Sequence, residues 1–325
     1  MNDSAIAASG LRKTYGDKVV LDGIDLDVPA GTIFSLLGPN GAGKTTMVNV
    51  LTTLLRADGG SARVAGFDIA AQTRAVRAVI GVTGQFAAVD DLLTGEENLQ
   101  LMADLHHLRA AEGRRIIASL LDRFDLAGSA GKLASTYSGG MRRKLDLAMT
   151  LVTRPRVIFL DEPTTGLDPR SRRTMWDIVR DLVADGVTVF LTTQYLEEAD
   201  QLAGRIAVLD QGRVVAEGTP AELKRQVPGG YVRFRFADAV ALEAAARVLT
   251  GSVPAGSVLA GSVPDGEDEL ALRVPGDGGA ASVRALLNRL DEYAVEPAEF
   301  SVHTPDLDDV FLALTGHATT EVTAS

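Results

Sequence analysis

Gly38-Pro-Asn-Gly-Ala-Gly43-Lys44-Thr45 meets every fixed position of G-x-x-x-x-G-K-[ST], a spacing suited to holding phosphate. Glycines let successive backbone N–H groups point inward, and the N-terminus of a following helix adds partial positive charge. Gly38, Asn40, Gly41, Gly43 and Thr46 belong to the cradle so formed. Lys44 would reach the β- and γ-phosphates as a point charge, and the Thr45 hydroxyl would ligate Mg2+. A second element lies downstream, where the apolar run Val157–Leu160 ends in Asp161-Glu162. That order puts two carboxylates at the C-terminal end of a buried strand, where open α/β sheets bind ligands. Asp161 suits Mg2+, directly or through water, and Glu162 suits orienting and deprotonating an attacking water. An acidic pair alone says little, but beside a phosphate loop it specifies a nucleoside-triphosphate site.

These residues need elements to position them. Thr32–Leu37 is a short apolar run that opens into the glycine-rich stretch, and Met47, Val48, Val50, Leu51, Leu54 and Leu55 then recur at helical spacing. The expected order is strand, loop, helix. Arg156–Leu160 and Val187–Leu191 are continuous β-branched and aromatic runs, as expected of parallel strands buried on both faces. Arg170–Ala184 between them has helical periodicity, giving a βαβ unit. Leu92–Phe124 reads as mainly helical, a lobe inserted into the sheet domain over about residues 87–136. His106 and His107 are adjacent and so expected on different faces of a lobe helix.

The 325 residues suffice for two or three domains, and 32 Lys+Arg against 43 Asp+Glu give a formal charge of −11. Residues 229–325 hold 6 basic and 15 acidic residues, net −9, whereas residues 1–228 hold 26 and 28, net −2. With the breaker cluster Pro228-Gly229-Gly230, this asymmetry predicts an α/β domain over 1–228 and an acidic α+β accessory domain over 229–325. In the tail, Tyr231–Phe236 and Glu269–Val274 read as strands, and Ala241–Leu249 and Ser282–Tyr293 as helices. Three copies of Gly-Ser-Val at 251, 256 and 261 read as a loose loop, and Asp306 as the N-cap of a last helix that Gly316 stops. The absence of cysteine excludes disulfides, thiolate nucleophiles and Cys-ligated metals. No apolar run approaches the ~18 residues of a spanning helix and no export signal precedes the first strand, so a cytoplasmic protein is expected. Net acidity disfavours nucleic acid and unaided docking on anionic lipid.

Ser138-Gly139-Gly140-Met141, ahead of a helix carrying Arg142, Arg143 and Lys144, resembles the signature motif of ABC-type ATPases. Thr165-Gly166-Leu167-Asp168 is similar to that family's D-loop, Gln85 to its Q-loop glutamine, and Tyr15 to the aromatic residue it stacks on adenine. The resemblance spans about residues 5–225. It implies a P-loop NTPase fold and a head-to-tail homodimer with two ATP molecules at its interface. Each ATP would then be held by one subunit's phosphate loop and by Ser138, Gly139 and Gly140 of the other, with Asp168 alongside and Gln85 near Mg2+. Where the family usually has a histidine against the γ-phosphate, Thr192-Thr193-Gln194 places a glutamine, which donates through its amide but carries no proton. A finer resemblance, to the ATP-binding subunits of daunorubicin/doxorubicin-type drug exporters, rests on Gly81-Val-Thr-Gly-Gln85-Phe, Tyr137–Ala148, Thr193–Asp200 and Leu307-Asp-Asp-Val-Phe-Leu. It implies a separate membrane-spanning permease, with this chain peripheral on the inner face of the membrane through that partner only. The rival expectations are a soluble ABC ATPase with no membrane partner and a nucleotide-gated regulatory subunit.

Overall fold

The continuous apolar runs become the centre of the first of two compact units, Met1–Ala221 and Glu222–Ser325. The structure is a computed structural model that describes residues 4–84, 88–226, 230–249, 263–264, 270–276, 279–303 and 305–315. The division between the units falls inside the helix ending at Gln226, ahead of the Pro228-Gly229-Gly230 cluster.

The first unit begins with β1 (Ser4–Tyr15), β2 (Lys18–Pro29), β3 (Ile33–Leu37), α1 (Lys44–Leu51), β4 (Gly59–Val64), β5 (Phe67–Asp68), α2 (Thr73–Arg77) and β6 (Ile80–Thr83). The lobe helices α3 (Gly95–Leu105) and α4 (Ala110–Arg123) follow, then α5 (Gly139–Leu151), β7 (Val157–Asp161), α6 (Pro169–Ala184) and β8 (Thr188–Thr193). The unit closes with α7 (Leu196–Leu202), β9 (Arg205–Asp210), β10 (Arg213–Gly218) and the start of α8 (Pro220–Gln226). Six strands form one sheet in the order β10-β9-β3-β8-β7-β6, parallel except for β10.

Every residue of β3, β7 and β8 is buried, because the sheet is covered on both faces. Alternation sorts their side chains. Phe34, Phe159 and Phe190 face α1 and the N-terminal strands, and Phe34 stacks on Phe190 with ring centroids 5.7 Å apart. Ile33, Ile158, Leu160, Val189 and Leu191 face α5, α6 and the lobe. The N-terminal strands form a second, antiparallel sheet, β2-β1-β4-β5, which the sequence pattern did not announce. Its alternation is broken by four register shifts between β1 and β2.

Two local expectations need correction. The helix after the glycine loop stops at Leu51, not at Leu55; Thr53 adopts a left-handed backbone (φ 63°) and Leu54 is exposed. His106 and His107 do not sit on helix faces. His106 caps the C-terminus of α3, and His107 takes φ 55° to leave it. The lobe's first helix starts at a reciprocal cap, in which the Thr94 hydroxyl accepts from Glu97 N–H and the Glu97 carboxylate accepts from Thr94 N–H.

The second unit contains β11 (Tyr231–Arg235), α9 (Ala239–Leu249), β12 (Val263–Pro264), β13 (Ala271–Pro275), α10 (Ala280–Glu292), β14 (Glu299–His303) and α11 (Leu307–Thr315). Its sheet runs β12-β13-β11-β14, antiparallel throughout, over a core that includes Val232, Phe234, Leu249, Leu272, Val274 and Leu290. Within the third Gly-Ser-Val copy, Val263 and Pro264 pair with β13 and are not loop. β14 is a strand not expected from the sequence, although Glu299-Phe-Ser-Val-His303 alternates over a few residues; its residues are mostly exposed. Asp306 accepts from Asp309 N–H at 2.9 Å in the first turn of α11. The remaining Gly-Ser-Val copies and Gly316 lie outside the described residues.

Candidate functional site

The glycine loop joins β3 to α1, and two of its glycines are demanded by packing. A Cβ on Gly38 would lie 2.3 Å from the Leu209 carbonyl oxygen, and one on Gly43 would lie 2.8 Å from that of Val20. Gly43 also adopts φ 113°, and Gly41 φ 82°. Asn40 and Gly41 are exposed at the loop tip. Lys44 opens α1 but its side chain turns back into the loop, donating to the carbonyls of Gly38 (2.8 Å) and Pro39 (3.1 Å). Its ammonium also lies 3.3 Å from Glu162 Oε1, with the two side chains only 5% and 9% exposed. Burial pulls the Lys44 pKa down, and the nearby Glu162 and Asp161 carboxylates oppose that shift.

The carboxylates come from the end of β7. Asp161 Oδ2 accepts from the Thr45 hydroxyl at 2.9 Å, and its other oxygen from the Thr192 hydroxyl on β8. Thr46 is half-buried in the same turn of α1. Glu162 has a left-handed backbone, φ 50°, which costs a non-glycine residue about 1–3 kcal/mol. The bend is held by its N–H, which donates to the Thr192 carbonyl (3.1 Å) and hydroxyl (3.2 Å). The chain thereby turns Glu162 toward Lys44 where a continuing strand would not. Gln194 is half-buried one residue beyond β8. Loop, β7 and β8 thus converge on one cluster of Lys44, Thr45, Asp161, Glu162 and Thr192.

Other expected residues stand in distinct settings. Ser138 is the N-cap of α5, its hydroxyl accepting from Met141 N–H at 3.3 Å. Gly139 is exposed, and Gly140 lies so close to α6 that a Cβ would meet Ser171 Oγ at 2.7 Å. Asp168 caps α6, with Oδ1 accepting from the N–H groups of Arg170 and Ser171 and Oδ2 from the Ser171 hydroxyl. These bonds, that of Ser171 foremost, hold its carboxyl below the ordinary aspartate value. Tyr15 is 49% exposed at the end of β1, with the Lys13 ammonium 5.6 Å from its ring centroid. Gln85 lies outside the described residues.

An ion pair and a lone carboxylate buried beside the cluster lie within segments that carry the family resemblance, but the sequence alone assigns them no role. Arg143 of α5 is buried against the end of β7, and Asp146 follows it one turn later. Glu198 of α7 is fully buried and accepts from the Thr164 hydroxyl (2.9 Å) and Trp176 Nε1 (3.1 Å). Both helices are rich in charge, GGMRRKLDLAMTL and LEEADQL, so the pattern alone does not say which charges are buried.

The ABC transporter family pattern matches residues 21–165. A daunorubicin resistance ATP-binding protein, DrrA3, of Streptomyces coeruleorubidus is 50% identical over 318 residues, 97% of this chain and 97% of its own. The chain belongs to the ABC transporter ATP-binding proteins. It is an ABC ATPase, and its first unit carries the P-loop NTPase fold. A Nod factor export ATP-binding protein I of Paraburkholderia xenovorans is 42% identical over 223 residues, 69% of this ABC protein and 73% of its own chain. A solved ATP-binding subunit of an ABC transporter superposes with a TM-score of 0.62 at 27% identity, covering 69% of this chain and 93% of that one.

Proposed function

We propose that this ABC ATPase powers export of a drug-like small molecule through a separate membrane permease, working as a head-to-tail homodimer on the cytoplasmic face. The observation that carries the proposal is the buried Lys44–Glu162 pair beside Thr45 and Asp161, at the converging ends of β3, β7 and β8. Cargo class and export come from the drug-resistance and Nod factor relatives, and so rest on analogy with them.

The cluster fits Mg2+. Its donors are hard oxygens, a hydroxyl and a carboxylate 2.9 Å apart, and the described residues offer no three-ligand His/Cys/Asp/Glu cage. Mg2+ takes few protein ligands and completes its shell with phosphate oxygens and water. Thr45 and Asp161 would hold it with Gln85, and the ion would neutralise charge on the β- and γ-phosphates. The loop N–H groups of Asn40, Gly41, Gly43, Lys44, Thr45 and Thr46 bind the phosphates, and Tyr15 stacks on adenine.

Lys44 is desolvated and paired with Glu162, so an arriving phosphate competes with that carboxylate for its amino group. Glu162, released from the pair, orients and deprotonates the attacking water. Gln194 donates its amide to the γ-phosphate. The second subunit supplies Ser138, Gly139 and Gly140 to the same nucleotide, where hydroxyl and helix N-terminus form an anion site, and Asp168 lies at that junction. ATP binding closes the dimer, hydrolysis opens it, and the permease follows.

Glu162→Gln tests the assignment. It should bind ATP about as tightly as the native protein, lose steady hydrolysis by roughly a thousandfold, and accumulate an ATP-dependent dimer on size exclusion. Native turnover in this variant would remove Glu162 as the base, and a monomer in saturating ATP would remove the shared site.

A further inference from the structure

One guanidinium joins three segments that the sequence keeps far apart. Arg143 is only 7% exposed, and its nitrogens reach backbone oxygens at the C-terminal ends of β6 and β7. Nε donates to the Pro163 carbonyl at 2.8 Å, and Nη1 to the Gly84 carbonyl at 2.7 Å. Nη2 lies 3.3 and 3.4 Å from the carbonyls of Asp161 and Glu162. Asp146 neutralises it at 3.4 Å and accepts from Ala88 N–H at 3.0 Å with its other oxygen. The pair on α5 therefore holds the carbonyls of 161–163, the end of the segment leaving β6, and the backbone at Ala88.

A buried arginine normally seeks a carboxylate or phosphate in bidentate register. Here most of its donors go to carbonyls of the turn that puts Glu162 at φ 50°. That turn is strained and needs external bonds to persist. The Thr192 contacts hold it from β8, and Arg143 holds it from the opposite side. About a turn and a half before Arg143, the same helix begins at Ser138.

We propose that Arg143 is a positioning residue for hydrolysis: it fixes the 161–163 turn to α5 and so ties the aim of Glu162 to the seating of the helix whose N-terminus serves the partner's nucleotide. The second half rests on the head-to-tail reading above; the first does not. Lysine at this position keeps the charge but offers one ammonium, which cannot span the Pro163 and Gly84 carbonyls as a planar fork does.

In the full-length protein, Arg143→Lys should lower kcat about tenfold or more while the ATP dissociation constant stays within roughly threefold. Amide exchange in a peptide spanning 159–166 should quicken by about tenfold, and exchange over 44–51 should stay native. A merely structural arginine would lower rate, nucleotide affinity and thermal stability together, and that pattern overturns the proposal. So does native kcat or unchanged exchange at 159–166. If Arg143→Lys does not fold, Asp146→Asn carries the test: it keeps an acceptor for Ala88 N–H but removes the countercharge, and should show the same split between rate and affinity in milder form. Native kinetics in Asp146→Asn then overturn the proposal. An ATP-dependent Glu162→Gln dimer alongside native Arg143→Lys turnover defeats this inference alone. A Glu162→Gln chain that stays monomeric defeats the shared-site reading, whatever Arg143 does.

Discussion

Gln194 stands where the family resemblance leads one to expect a histidine. Its amide can donate to a γ-phosphate oxygen, but it cannot take up the proton or positive charge that a histidine could supply. Turnover of two variants separates the contributions. Gln194→Ala should lower kcat by about tenfold, and Gln194→His should match or exceed the native rate. Equal rates in all three would mean that this side chain does not touch the nucleotide. Glu198, four residues on, makes a prediction about pH. Burial raises its carboxyl above the usual 4.5, against hydrogen bonds from Thr164 and Trp176. The folded chain thus keeps a proton that the unfolded chain has released, so this group's contribution to stability is full below the ordinary glutamate value and declines as pH rises through the folded one. Glu198→Gln has no such slope. The difference in melting temperature, variant minus native, should grow more positive between about pH 4 and pH 7, and a flat difference would mean Glu198 is ionised in the fold throughout.

At the scale of elements, the central strands hold the site because they pack on both faces. Phe190 of β8 lies between Phe34 and Phe159, with centroids 5.7 and 5.5 Å away. Phe190→Ala should cost about 3–5 kcal/mol in chemical denaturation and loosen the strand that presents Thr192 to Asp161 and Glu162. A loss below about 1 kcal/mol would show that the sheet closes over the gap. These strands were legible because runs such as VIFL and TVFL have no polar alternation, and the phosphate loop because its glycines and Lys-Thr sit at fixed spacing. The β1–β2 sheet was not legible, since bulges scramble its alternation and β1 mixes small, polar and charged residues. Nor was the Arg143 clamp. Its partners are mainly carbonyls, which every residue carries, brought together from two loops by tertiary packing. The left-handed turn at Glu162 escaped for the same reason: glutamate has no preference for that region, so the surroundings impose it.

For the whole molecule, the charge of −11 divides unevenly, with net −2 over residues 1–228 and −9 over 229–325. The near-neutral part contains the ATPase motifs, whose positive field is local, from Lys44 and the loop N–H groups. The excess acid lies almost wholly in the tail. Anionic lipid attracts polybasic segments by about 1 kcal/mol per Lys or Arg near its surface, an attraction this tail lacks. Among the described residues no helix is long and apolar enough to cross a membrane. Under the proposed function, membrane association runs through a protein partner, and vesicles test that reading. Purified protein mixed with phosphatidylserine-rich vesicles at about 0.1 M salt, where charges are screened beyond roughly 10 Å, should remain in the supernatant after sedimentation. The same protein should sediment with native membranes, bring a permease through affinity purification, and keep that partner when salt is raised to about 0.5 M, because a docking surface packed through apolar side chains is not screened away. Sedimentation with bare anionic vesicles as complete as with native membranes would defeat partner-mediated attachment, and so would purification from membranes with no spanning protein attached.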